Sequence, residues 1–166
     1  FAYFVEASCG NSADKLADKW SSPTPLFKKS EGVERANYPF LMADGVTLYF
    51  AAQGENSMGG YDIFMSTFDL DNGVFYSPEN IGLPYNSTAN DYFLAIDDIN
   101  HLGWLVTDRR QPEDKVCIYT FVPTASRQGF EDTNLTDHEI ERYSRILSIS
   151  DTWKFGNRKA ALAKLS

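Results

Sequence analysis

Five side chains stand out, by type and setting, as able to bind something: Asp62, Arg109, Arg110, Tyr85 and Trp104. Asp62 follows Gly59-Gly60. Its carboxylate could line a channel and hold a cation or an amine. It could equally accept backbone N–H groups from a neighbouring loop, as Asp does in turns. Asp108-Arg109-Arg110 puts two guanidinium forks side by side, which suits an anion or carboxylate clamp. The plainer alternative is an Asp108–Arg109 ion pair that fixes a loop and leaves Arg110 as the freer cation for a partner. Trp20, Tyr85, Tyr92 and Trp104 offer faces that stack on sugar rings or on a partner loop. Such residues also fill the interfaces between sheets. Trp104 lies mid-strand and is expected in a core, whereas Tyr85 lies in a linker.

Several familiar chemistries do not fit. His101 and His138 are the only histidines, and neither has Cys or His at zinc-ligand spacing. Their scarcity also weakens any Ser-His-Asp arrangement. The run from Gly54 to Gly59 lacks the G-x-S-x-G spacing of a nucleophile elbow. No Gly-rich loop carries a phosphate-binding Lys. Asp69, Asp71 and Glu79 suggest calcium. An EF-type loop begun at Asp69 needs Gly at its sixth position and Glu at its twelfth, and Gly73 and Glu79 each fall one short, so a hairpin turn is expected. The adjacent acids Asp97-Asp98 and Glu113-Asp114 lie in loops without a positioned partner for glycoside cleavage. No catalytic set, cofactor or metal is therefore expected. Cys9 and Cys117 do not make a disulfide framework. Cys117 reads as a small buried hydrophobe in a strand, with a Cys9–Cys117 bridge as the alternative. Asn86-Ser87-Thr88 and Asn134-Leu135-Thr136 match glycosylation sequons by pattern alone.

Charge narrows the partners. The formal net charge is −8 over 166 residues. Residues 1–123 carry 8 basic and 17 acidic side chains, and residues 124–166 carry 7 and 6. The acidic part lacks the Lys/Arg patch that nucleic acid or an anionic membrane surface requires. No apolar run approaches the ~20 residues of a membrane span. The chain opens with Phe1-Ala2-Tyr3-Phe4-Val5, which reads as the middle of a strand, so a piece of a longer or processed protein is expected.

The elements that must position these side chains are mostly strands. Aromatic residues make up 14% of the chain, which favours β structure. Residues 37–68 read as three strands: an apolar run at 38–43, an Asp44-Gly45 turn of type I′, a second run at 46–52, a Gly-rich loop at 54–60, and a third run at 61–68. Asn72-Gly73 marks another hairpin, followed by a fourth strand at 74–77 that ends at Pro78. Earlier, residues 1–7 look strand-like, 8–17 loop-like, and 19–23 like a short edge strand; 28–36 is a charged connector. Residues 90–121 resemble the opening meander. Phe40 aligns with Phe93 at an offset of 53, and Tyr49 with Trp104 and Ile63 with Ile118 at 55, so two extra residues are expected in the first hairpin. Trp20 and Pro23 likewise align with Phe75 and Pro78 at 55. The chain thus reads as all-β with a small helical tail: a four-strand unit at 37–83, most of another at 90–123, and the end of an earlier one at 1–27. In the tail, Thr136-Asp137-His138-Glu139 is a capping box. Ile140, Tyr143 and Leu147 then share one helical face, and 158–165 has helical composition.

Repeated four-stranded antiparallel sheets are the blades of β-propellers. The residues resemble the TolB-type, WD-like propeller repeat. The resemblance rests on Tyr38-Pro39, Ala43-Asp44-Gly45, Leu48-Tyr49-Phe50-Ala51-Ala52, Gly59-Gly60-Tyr61-Asp62-Ile63-Phe64 and the linker Asn80-Ile81-Gly82-Leu83-Pro84-Tyr85-Asn86. In the second copy Thr107-Asp108-Arg109 and Val116-Cys117-Ile118-Tyr119 stand in matching places. It covers roughly residues 18–123. The second copy departs from the pattern in lacking the Asp-Gly turn and in carrying Cys117 where Asp62 stands. The resemblance implies a non-enzymatic, extracytoplasmic interaction domain of the Gram-negative cell envelope, periplasmic or outer-membrane associated. Its partner would be an envelope protein, or a glycan or peptidoglycan-associated one. A glycan- or small-ligand-binding propeller, or the non-catalytic part of a larger hydrolase, is the alternative.

Overall fold

The structure, a computed structural model, describes residues 2–4, 10–28, 31–123, 136, 138–140, 159 and 163. Strand is the dominant element, and every pairing given below is antiparallel. The first sheet joins β1 (Ala2–Phe4), β2 (Asn11–Ala13) and β5 (Thr24–Pro25) in the order β1-β2-β5. Beyond it, β3 (Lys15–Leu16) and β4 (Lys19–Trp20) pair as a hairpin around Ala17-Asp18. Residues 11–16 were expected to be loop. They are mostly polar, yet Asn11 and Ser12 pair on both sides and Lys15 and Leu16 pair with β4, so tertiary context overrides composition.

The second sheet is the largest, with order β10-β8-β7-β6. It comprises β6 (Val33–Leu41), β7 (Thr47–Gly54), β8 (Asp62–Asp69) and β10 (Glu79–Asn80), with β9 (Val74–Phe75) also on β8. The fourth strand of the meander is therefore split. Tyr76 still donates to the Thr67 carbonyl at 2.9 Å, but Pro78 has no N–H to give, and pairing resumes at Glu79. The connector expected at 28–36 gives way to β6 from Val33 onward, where Val33 and Ala36 are buried and Glu34 and Arg35 face solvent.

The Asp44-Gly45 turn is not the two-residue type I′ hairpin. The loop holds four residues, 43–46, closed by Met42 N–H to Thr47 O at 2.8 Å, and only Gly45 has positive φ, at 74°. The Asp44 carboxylate explains the change. Its Oδ1 accepts from the N–H groups of Val46 and Thr47 at 2.9 Å, and its Oδ2 from the Thr47 hydroxyl at 2.6 Å. A side chain that caps its own turn stabilises the longer loop. Asp69 does the same for the turn before β9, accepting from Asp71 N, Asn72 N and the Asn72 amide.

The third sheet joins β11 (Asp91–Asp97), β12 (Leu102–Thr107) and β13 (Cys117–Phe121). Its register repeats that of the second sheet at a constant 55 residues. Ala52 pairs with Asp62 where Thr107 pairs with Cys117, and Leu41 with Leu48 where Ile96 pairs with Gly103. The expected two-residue difference in the first hairpin is absent, because Met42 and Thr47 close one loop and Asp97 and Leu102 the other. By register Phe40 corresponds to Ala95 rather than Phe93; bulges in both strands shift the sequence match. The first sheet does not share this register: Leu26 N–H bonds Gly10 O at 2.9 Å, whereas Ile81 N–H, 55 residues on, bonds Ile63 O at 3.1 Å.

The second sheet is buried on both faces, which is why Leu48–Ala52 is a continuous buried run. One face, with Leu48, Phe50 and Phe64, packs on Phe27 from the segment after β5; the Phe27 and Phe50 rings stack at 4.9 Å. The other, with Tyr49, Ala51 and Ile63, packs on Leu94, Leu105 and Phe121 of the third sheet. In the C-terminal region the capping box forms. Glu139 N–H donates to Thr136 Oγ1 at 3.4 Å, the Glu139 carboxylate accepts from Thr136 N–H at 2.9 Å, and His138–Ile140 is helical with Ile140 buried. Lys159 and Ala163 are helical as well. Tyr143, Leu147 and Cys9 lie outside the described residues. Among those described, no helix is long and apolar enough to cross a membrane.

Candidate functional site

Most of the candidate residues converge on the seam between the second and third sheets. The Gly59-Gly60 loop presses against the linker at 87–90. A Cβ on Gly59 would stand 2.2 Å from Ala89 O, and one on Gly60 would stand 2.0 Å from Asn90 Oδ1. Only glycine lets these backbones approach so closely. Gly60 N–H then bonds Ala89 O at 3.1 Å, and Asp91 N–H bonds Tyr61 O at 2.6 Å.

Asp62 opens β8 behind this loop and is fully buried. Its Oδ2 accepts from Met58 N–H at 2.7 Å and from the Asn80 amide at 2.7 Å, while Oδ1 has no partner. It thus accepts a backbone N–H from the adjoining loop. Burial pushes its carboxyl up to about 6, the bonds from Met58 and Asn80 oppose the rise, and nearby Asp91 adds to it. Asn80 passes the network to Asn86, whose amide both donates to Ile63 O and accepts Ile63 N–H at 2.9 and 2.7 Å. Asn86 is fully buried, so in the folded chain its sequon is sealed from modification.

Arg109 lies beyond β12 and is buried. The expected Asp108–Arg109 pair is replaced by Asp91–Arg109, at 2.5 Å. The Arg109 guanidinium also donates to the carbonyls of Pro84 and Tyr85 and to Thr107 Oγ1. Ser87 Oγ donates to the second Asp91 oxygen at 2.9 Å. Burial holds the Asp91 carboxyl above its ordinary value, with the Arg109 guanidinium opposing the rise. Asp108 instead accepts from the backbone N–H and amide of Asn90 and from the Tyr92 hydroxyl. Burial would raise it, but these donors hold it below its ordinary value. The switch of partner is geometric. Pairing of β11 with β12 sets Asp91 opposite Thr107, next to the turn that carries Arg109.

Tyr85, expected to be exposed in its linker, is buried and packs on Phe121 with ring centroids 5.2 Å apart. Trp104 is half-buried on β12 rather than in the core. Arg110 is exposed with φ of 57°. Cys117 is a free, half-buried thiol that donates to Thr107 O. Asp62, Arg109 and Tyr85 therefore meet at one seam, and Arg110 lies at the surface beside it.

Tyr38 and Tyr61 stand in the repeat pattern of the sequence but not among its binding candidates. With Tyr92 they form a cluster at one end of the seam, with centroids 6.5 Å (Tyr38–Tyr61), 6.1 Å (Tyr38–Tyr92) and 6.0 Å (Tyr61–Tyr92) apart. The Asn37 amide donates to the Tyr61 hydroxyl at 3.1 Å. Burial and the bond to Asp108 push the Tyr92 hydroxyl up to about 12. Among the described residues, no group of three His, Cys, Asp or Glu is placed to hold a metal ion. No known family, curated protein or solved structure matches this chain.

Proposed function

We propose that residues 1–123 are β-propeller blades of the TolB type and act as a non-enzymatic protein-interaction scaffold of the bacterial cell envelope. Residues 124–166, whose sequence suggests a helical tail, would be an extension of that scaffold. One observation carries this reading: the third antiparallel sheet packs on the second, and the two share a register 55 residues apart. Serial stacking of equivalent sheets builds a rigid body that presents its loops to partners. The ionisable groups that look most like chemistry, Asp62, Asp91 and Arg109, lie in the seam between sheets. Arg110, at the surface, is the residue assigned to partner contact. The assignment to the envelope rests on the sequence resemblance described above.

The test is capture from a bacterial envelope extract with a photo-crosslinking residue beside Arg110. The expected result is one protein partner, with capture lost in Arg110→Ala while the circular-dichroism melt is unchanged. Turnover of any member of a peptide or glycan substrate panel by the purified protein would overturn the reading.

A further inference from the structure

We propose that the Tyr38–Tyr61–Tyr92 cluster is a carbohydrate-binding site, in which the exposed ring of Tyr38 stacks on the C–H face of a neutral pyranose. This goes beyond the protein-scaffold reading and does not rest on it. Three features of the backbone and side chains converge there.

The first is exposure. Tyr38 is 51% exposed, while Tyr61 and Tyr92 beneath it are half-buried. Tyr38 meets Tyr92 edge-on at 90° and Tyr61 at 69°, so two fixed rings hold the third upright. The second is backbone strain. Tyr38 has φ of 53°, a conformation that bulky L side chains avoid. Strain of this kind persists only where the surroundings impose it, and it collects at ligand-binding sites. The third is irregular pairing. The β6 register shifts between Asn37 and Phe40, and the β11 register shifts between Asp91 and Phe93. These two breaks bracket Tyr38 and Tyr92. Bulges re-aim side chains, and here two neighbouring strands aim tyrosines at the same point.

The chemistry around the rings suits a sugar. A pyranose has an apolar C–H face and a rim of hydroxyls, which match an aromatic face bordered by hydrogen-bonding groups. The Tyr38 hydroxyl has no hydrogen-bond partner among the described residues. The Tyr61 hydroxyl accepts from Asn37 and keeps its own proton for a ligand oxygen. A cationic ligand would compete for the same rings, but the carboxylate beside them, Asp108, already accepts from Asn90 and Tyr92. Tyr85, the linker aromatic that sequence suggested for stacking, is buried and unavailable.

The test uses protein with ring-labelled tyrosine, followed by NMR during titration with chitotetraose, cellotetraose and maltotetraose. Tetramethylammonium chloride serves as the cation probe. The expected result is saturable shifts of the Tyr38, Tyr61 and Tyr92 signals with at least one sugar. Tyr38→Ala is expected to weaken that binding roughly tenfold, and Tyr38→Trp to retain it. Tyr38→Gly, whose backbone adopts positive φ freely, is the second stripped variant should Tyr38→Ala fail to fold. Three results overturn the proposal: no shift of these tyrosines with any of the sugars, unchanged affinity in the folded stripped variant, or shifts with tetramethylammonium alone.

Discussion

Arg109 donates to Thr107, Pro84, Tyr85 and Asp91 from a buried position, so truncating it strands the Asp91 carboxylate without its cation. Removing one partner of a buried ion pair typically costs about 3–5 kcal/mol. Arg109→Met is expected to destabilise by that much in urea unfolding. Adding Asp91→Asn to Arg109→Met is expected to recover part of the loss, since no unpaired charge then remains; additive losses would show that the two groups are not coupled. Asp62 makes a second prediction, with a definite sign. Its folded value of about 6 lies above the ordinary 3.8. The folded state therefore holds the proton more tightly than the unfolded chain. That stability is fully present below pH ~4 and is lost as pH rises through ~6. Relative to Asp62→Asn, which cannot titrate, the native protein is expected to lose stability by up to about 1.4 kcal/mol per pH unit across that window. Parallel stability–pH curves for the two proteins would exclude a raised Asp62. At this scale sequence gave half of the answer. An Asp after two glycines could be read as an acceptor of loop N–H groups. The partner of Arg109 could not, because it depends on which residue faces Thr107 across two strands.

The loop at Gly59-Gly60 is where the second sheet meets the linker that leads to the third. With a Cβ 2.2 Å from Ala89 O, alanine at Gly59 forces the linker backbone away, and alanine at Gly60, 2.0 Å from Asn90 Oδ1, displaces the Asn90 side chain that Tyr61 N–H and Asp108 hold. Gly59→Ala or Gly60→Ala is expected to cost roughly 1–3 kcal/mol, as overpacking does. The loss should appear locally, as faster hydrogen exchange at Asp91 N–H, which bonds Tyr61 O. Unchanged exchange there would place the seam's rigidity elsewhere. Elements with an apolar face were legible before the structure: β7, β8 and β12 coincide with hydrophobic runs, and the Thr136–Glu139 capping box formed as spelled. Strands held by pairing alone were not. β2 and β3 carry no apolar alternation, and β6 begins inside a charged connector because bulges let Glu34 and Arg35 face solvent while Val33 and Ala36 are buried. The tyrosine cluster was hidden for a related reason: it exists only because two register breaks bring Tyr38 and Tyr92 together.

Across the whole molecule the same register position meets different fates, and what packs on it decides which. Ile63 on β8 and Ile118 on β13 occupy equivalent sites, yet Ile63 is 0% exposed and Ile118 is 66% exposed. Ile63 faces the third sheet and packs with Leu94, Leu105 and Phe121. The sequence repeat showed that the two isoleucines are equivalent, but burial belongs to the stack of sheets rather than to a single copy, so no local pattern could separate them. The energetic consequence is large. Ile63→Ala removes buried methyl groups from a packed seam and is expected to cost about 2–5 kcal/mol. Ile118→Ala leaves a solvent-facing position and is expected to stay within about 0.5 kcal/mol of the native protein. Urea unfolding of the two variants, with the Ile63→Ala/Ile118→Ala double variant, separates stacking from intrinsic strand preference. If strand preference dominated, the two losses would differ only by what separates interior β8 from edge β13, and not by several kcal/mol. A large loss at Ile63 with almost none at Ile118, and additivity in the double variant, is the result expected if stability comes from one sheet lying on the next.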